Sequence, residues 1–207
     1  MKSFIGSILL VLAMVTMSFA YPIHNGDVVS LTRSLSGAAN GDFQVEVNHA
    51  GNTAFATFCV ERNTHFSLGQ DYYVTVNDTI ENGYVPLSNG VKYLFWHFSN
   101  NSLVSTFDVH SAFDVADLQD AIWMLQGQMA TASANRFISE VATVRNFEQY
   151  DVSVMNLWTD YNAPYDIGCG DRQSQLVISS TPVPEPASLA LFGVGLVALG
   201  LRKRFKK

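Results

Sequence analysis

The chain has 207 residues, 12 of them Lys or Arg and 18 Asp or Glu, for a net charge of −6. The charge is unevenly spread: between the two termini, six basic residues (Arg33, Arg62, Lys92, Arg136, Arg145, Arg172) stand against seventeen acidic ones, a net of −11. A body that acidic argues against nucleic acid and anionic membranes as partners, and its length suits one ordinary domain.

The N-terminus places Lys2 ahead of an apolar run over residues 4–17, followed by Ser18-Phe19-Ala20. A positive start, a short apolar core and small residues before a cleavage point describe a secretory signal peptide. Cleavage after Ala20 leaves Tyr21 as the new terminus. The chain then divides into a signal peptide at 1–20, one domain at 21–181 and a tail at 182–207.

The domain reads as α+β: a single β-rich unit, sandwich or barrel-like in its sheet, with two or three helices. In "DFQVEV" the residues Phe43, Val45 and Val47 alternate with polar ones, the pattern of a half-buried strand. "TAFATFCVE" and "DYYVTV" have the aromatic and β-branched content of strands, joined by "ERNTHFSLGQ". In "SNGVKYLFWHFSN" the apolar positions Val91, Leu94, Phe95 and Phe98 follow helical spacing, with Ser88 or Asn89 as cap. "DVADLQDAIWMLQG" predicts a second helix, capped by Asp114, with Asp117 in its first turn and Gly127 as its stop. Its apolar stripe is Leu118, Ala121, Ile122 and Leu125. A third helix is expected in "ANRFISEVATV", and late strands in "DVSVMNLW" and "SQLVISS".

The tail is "TPVPEPASLALFGVGLVALGLRKRFKK". Pro182, Pro184 and Pro186 make an extended spacer, since proline continues neither a helix nor an inner strand. An apolar run at 187–201 follows, shorter than the roughly 20 residues of a full membrane span. Five basic residues close the chain and would remain on the cytoplasmic side. The order of "VPEP" (Pro184, Glu185, Pro186), short span and basic end closely resembles the PEP-CTERM sorting signal of Gram-negative bacteria that make exopolysaccharide. The resemblance implies recognition by an exosortase, an inner-membrane intermediate, removal of the tail, and delivery to the cell surface or extracellular matrix. The alternative is a permanent inner-membrane anchor.

Two cysteines, Cys59 and Cys169, occur in the chain. "FCVE" followed about sixty residues later by "LQDAIW" resembles the internal thioester domains of bacterial surface adhesins. In that family an aromatic-Cys motif on a strand is paired with a Gln in an apolar-Gln-x-Ala-apolar-Trp helix motif. The correspondence falls on Phe58-Cys59 and on Leu118, Gln119, Ala121, Ile122 and Trp123. It implies that the Cys59 thiolate attacks the Gln119 side-chain carbonyl, expels ammonia and leaves a thioester. A target amine or hydroxyl then takes the acyl group, which is nucleophilic acyl chemistry used once, without enzymatic turnover. Phe58 and Trp123 are expected to shield the bond from water. The single lysine of the body, Lys92, suits a stored acyl donor, although solubility accounts for it equally well.

The competing use of Cys59 is a disulfide with Cys169, the default for two cysteines in an exported chain. It leads to a different function, a non-covalent structural protein of the exopolysaccharide or biofilm matrix. A Cys–His peptidase with His97 or His110 is disfavoured, because nothing near Cys59 in sequence lowers its pKa. The five histidines (His24, His49, His65, His97, His110) lack metal-ligand spacing, and Asp114, Asp117 and Asp120 suit a helix start better than calcium. No cofactor or metal is expected. The partners are an exosortase and an extracellular polysaccharide or surface protein.

Overall fold

Among the described residues, eight strands and three helices form in chain order. The strands β1 (Val28–Arg33), β2 (Phe43–Val47), β3 (Thr53–Thr57), β4 (Asp71–Asn77), β5 (Thr79–Ile80) and β6 (Val85–Pro86) come first. The helices α1 (Asn89–Ser99), α2 (Ala112–Leu125) and α3 (Arg136–Ala142) follow, and β7 (Val152–Trp158) and β8 (Asp171–Ile178) end the domain. The computed structural model describes residues 23–33, 36–38, 41–50, 53–80, 84–131, 134–147, 150–161 and 171–179, all within the unit Tyr21–Ser180. The α+β class read from the sequence is the class observed.

Six strands make one antiparallel sheet in the order β3-β2-β1-β4-β7-β8, and β5 pairs with β6 in a small hairpin. The first and last strands of that order meet. Beyond β3 the chain runs against β8, with Val60 N–H donating to Ser174 O and Leu176 N–H to Phe58 O, both at 3.0 Å. Cys59 stands opposite Gln175 between these two bonds. The sheet therefore closes on itself through a short seam, and Cys59 is the residue at its middle.

Alternation along the strands divides the apolar residues into two clusters. The sheet-side cluster holds Val29, Leu31, Val45, Tyr72, Met155 and Leu157. The helix-side cluster joins Val152, Val154 and Leu176 to Leu94, Leu118 and Ile122 of the helices. Strand β7 is buried at every position, which explains why "VSVMNLW" reads as a nearly continuous apolar run. Each fully buried Leu or Ile here contributes about 1.5–3 kcal/mol of transfer free energy.

Ser88 caps α1 by accepting from Val91 N–H at 3.2 Å, and Asn135 caps α3 by accepting from Phe137 and Ile138 N–H. Helix α2 departs from the expected start: its cap is Ser111, not Asp114, and accepts from Asp114 N–H at 3.3 Å. Asp114 is thereby placed inside the first turn, where its carboxylate accepts from Asp108 N–H and pairs with Arg136, each at 2.8 Å. The Asp108 N–H and then Arg136 hold that carboxyl below its ordinary value. Asp117 also meets Arg136, at 3.2 Å, yet burial pushes its pKa up. These aspartates thus tie α2 to α3. Gly127, at φ 74°, ends α2 as expected. Gly41, at φ 150°, lets the turn before β2 approach α2 so closely that a Cβ there would lie 2.2 Å from Val115 Cγ1. Val115 is one turn before Gln119, so this contact sets the position of the glutamine.

Candidate functional site around Cys59

The seam geometry explains what surrounds Cys59. Its neighbours Phe58 and Val60 supply the hydrogen bonds to β8, so the N–H and C=O of Cys59 itself point away from β8. Backbone groups buried on that side need partners. Gln119 provides both: Cys59 N–H donates to Gln119 Oε1 at 2.9 Å, and Gln119 Nε2–H donates to Cys59 O at 2.7 Å. Gln119 is fully buried and Cys59 is 3 % exposed. A side-chain amide from α2 thus acts as the missing strand beside the seam.

The sulfur has other partners. The thiol donates to Gln173 Oε1 at 3.0 Å, and Gln175 Nε2–H donates to Sγ at 3.4 Å. Gln173 Nε2–H in turn donates to Glu61 O, and the Glu61 carboxylate accepts from Ser174 N–H at 2.9 Å. Burial pushes the Cys59 thiol up to about 12; the Gln175 N–H works against this and the Glu61 charge adds to it. At neutral pH the thiol is protonated. That is the reverse of a primed peptidase cysteine. The His97 ring bonds to Ser102 and packs at a tilt against Tyr93, and the His110 backbone N–H donates to Asp108 Oδ1.

Gln119 and Trp123 lie one turn apart on α2, a spacing that puts them on one side of the helix. Trp123 packs in the sheet-side cluster with Cys59. Phe58 does not: it belongs to the helix-side cluster, edge-on to Phe98 at 4.9 Å, because adjacent residues of an extended segment face opposite ways. Of the two residues expected to cover the thiol, Trp123 shares its layer and Phe58 does not.

A cavity of about 230 Å³ opens beside the sulfur, walled by Cys59, Trp123, Gln173, Phe43 and Phe66, with Arg33, Arg62 and His65 also lining it. Two polar atoms of this region are buried without a hydrogen-bond partner, Trp123 Nε1 and Gln175 Oε1. The residues of this site that sequence reasoning did not reach are Gln173, Gln175, Glu61, Arg33 and Arg62. No local signal marks the first two, because polar residues at alternate positions, as in "QSQ", ordinarily mark the outward face of a strand.

Cys59 is a free, buried thiol. Cys169 lies outside the described residues, as do the processing junction Ala20-Tyr21 and the tail with Pro184, Glu185 and Pro186. Among the described residues no His, Cys, Asp and Glu cluster is arranged to hold a metal ion, and no helix is long and apolar enough to cross a membrane.

Residues 182–204 match the PEP-CTERM protein-sorting motif. The chain thus carries the signal of an exported protein sorted through the membrane to the cell surface, a signal that implies processing by an exosortase and a membrane-anchored intermediate. No curated protein matches the chain. A similar solved structure is the N-terminal thioester domain of fibronectin-binding protein SfbI from Streptococcus pyogenes, 12% identical, with a TM-score of 0.44. That match covers 79% of this chain and 98% of the streptococcal one.

Proposed function

We propose that this exported protein forms an internal thioester between Cys59 and Gln119 and uses it once, without turnover, to attach covalently to amine or hydroxyl groups at the cell surface or in the extracellular matrix. The observation that carries this reading is the paired hydrogen bonding of the buried Gln119 amide to the Cys59 backbone. Cys59 N–H already points at Gln119 Oε1, so it polarises the carbonyl and stabilises the oxyanion formed when Sγ attacks Cδ. The Cδ–Nε2 bond then breaks, and ammonia leaves with the thiol proton.

A thiol held at about 12 is a weak nucleophile. The reaction therefore relies on proximity inside a closed site, where positioning alone supplies several kcal/mol, about 7 or more in favourable intramolecular cases. The same burial keeps the product, because it limits the access of water to the thioester carbonyl. A target amine then forms an amide at Cδ, the C–S bond breaks, and sulfur regains a proton. Targets of this class are extracellular polysaccharides or surface proteins.

Intact mass tests the reading. The mature protein should be lighter by one ammonia, and methylamine should restore an amide at Gln119 while exposing one titratable thiol. Cys59→Ala and Gln119→Ala should each abolish both effects, and Cys169→Ser should leave them in place. A mass with no ammonia missing and no methylamine adduct would refute it.

One observation favours a second reading. The Gln119 amide is complete as a hydrogen-bonding partner of the seam, so its burial is also explained without a covalent bond. The protein is then a non-covalent structural component of the exopolysaccharide or biofilm matrix. A Cys59–Cys169 disulfide in that protein would lower the mass by two hydrogens instead.

A further inference from the structure

Three features meet at the cavity over Cys59. Arg33, at the end of β1, and Arg62, just past the seam, both line it. Among the described residues neither arginine has an ion-pair partner, although the body carries seventeen acidic residues and four other basic ones. Among the described residues, no acidic one lines the cavity. Trp123, 6 % exposed, contributes an indole N–H that is buried and unpartnered. In so acidic a protein, a hollow lined by two guanidinium groups without ion-pair partners favours an anion over a cation. Arginine offers a planar fork that fits a carboxylate in particular, and the aromatic walls of Phe43, Phe66 and Trp123 accept the apolar part of such a group. A volume of about 230 Å³ admits one small residue, not a folded surface.

We propose that this cavity is a carboxylate subsite, and that the protein selects targets in which a carboxylate lies beside the attacking amine or hydroxyl. The inference deepens the thioester reading and rests on it for the covalent step; the binding step stands without it. Arg33 and Arg62 hold the carboxylate and the neighbouring nucleophile is delivered to Cδ of Gln119. Bond changes are those of the acyl transfer already written, with no further reactant.

The test compares two amines of similar basicity, 4-aminobutyrate and butylamine, on the mature full-length protein, with adducts followed by intact mass. At low millimolar concentration 4-aminobutyrate should react about tenfold faster and saturate. The ratio of the two rates should fall toward one in Arg33→Gln/Arg62→Gln and stay high in Arg145→Gln. Glutarate or galacturonate should slow the 4-aminobutyrate reaction, and the stronger competitor identifies an amino-acid-like or a sugar carrier. Equal rates for the two amines, a ratio that survives the double substitution, or no competition by either acid would overturn the proposal. If neither amine adds, the thioester reading has failed, and the subsite is tested by calorimetry on Cys59→Ser. Glutarate should bind and glutaramide should not, with binding lost in the arginine double variant. Equal or absent binding of the two would overturn it.

Discussion

The domain contains two buried polar clusters of opposite character. Around Glu140, which is 7 % exposed, every carboxylate oxygen is answered. Oε1 accepts from Tyr93 O–H at 3.1 Å and Val104 N–H at 3.0 Å, and Oε2 accepts from Ser105 N–H at 2.9 Å. Burial alone would push this carboxyl up, but those donors outweigh it and hold the pKa below its ordinary value. Burial and then the Glu140 charge push Tyr93 up to about 12. Around Cys59 the amides of Gln119, Gln173 and Gln175 gather in the same way, yet Gln175 Oε1 and Trp123 Nε1 are left over. A closed cluster ties α1, α3 and the segment between α1 and α2 into one layer. A cluster with spare donors and acceptors beside a cavity keeps capacity for something that arrives later. Burial alone does not distinguish the two; saturation does.

The largest effect is expected from breaking the open cluster at its core. Compared with the uncondensed chain, in which Gln119 still carries its amide, Gln119→Ala leaves both Cys59 N–H and Cys59 O buried and unpaired, at about 1–3 kcal/mol each. The variant should lose roughly 4 kcal/mol of stability and drop in Tm by on the order of 10 °C, in addition to losing reaction with methylamine. Thermal unfolding that matches the parent would show that the amide does not support the seam.

Glu140→Ala should come next, at roughly 2–3 kcal/mol, because the Val104 and Ser105 N–H groups it releases are only part-buried and can turn to water, and the variant should still react fully with methylamine. A loss of amine reaction there would erase the distinction between the clusters.

Acid sharpens it. The folded pKa of Glu140 lies below its ordinary 4.5, so its stabilisation is fully present above that pH and is lost as the pH falls through the folded value. Denaturant titrations at falling pH should show a steeper loss in the parent than in Glu140→Gln. Parallel curves would mean that the cluster carries no such linkage.

The smallest effect is the most specific. Trp158 Nε1–H donates to Thr75 at 3.0 Å, whereas Trp123 Nε1–H has no partner. Deleting the first bond with Trp158→Phe therefore loses about 1 kcal/mol more than the matching Trp123→Phe. Equal losses in urea melts would place a partner on Trp123.

Much of this architecture could be read from residue spacing. Phe43, Val45 and Val47 alternate because one face of β2 is buried, and Val91, Leu94, Phe95 and Phe98 repeat because α1 packs on one side. Strand β1 escaped notice, since Ser30, Thr32 and Arg33 dilute its inward Val29 and Leu31. The hairpin of β5 and β6 is two residues per strand, too short for any period. Gln119 was legible as half of a motif with Cys59. Gln173 and Gln175 were not, because polar residues on alternate positions normally mark the outward face of a strand. Here they face inward, and only the seam that brings β8 against Cys59 gives them a reason to. Arg33 and Arg62 share a cavity through the same closure, which no local pattern encodes. The exchange of Asp114 for Ser111 as helix cap has a long-range cause as well: Arg136 of α3 claims the aspartate.

The location of Gln119 on a helix, and of Cys59 on the sheet, decides where mechanical load would enter the molecule. Under the proposed chemistry the acyl group passes to the target and the sulfur is released, so a captured partner hangs from α2 alone. Tension then bears on the helix layer, held by its buried stripe and by the Asp114 and Asp117 grip on Arg136, while the hydrogen-bonded strands carry little of it. Pulling on a methylamine-sized linker attached at Gln119 should strip α2 from the sheet before any strand unzips, and Arg136→Gln should lower the rupture force.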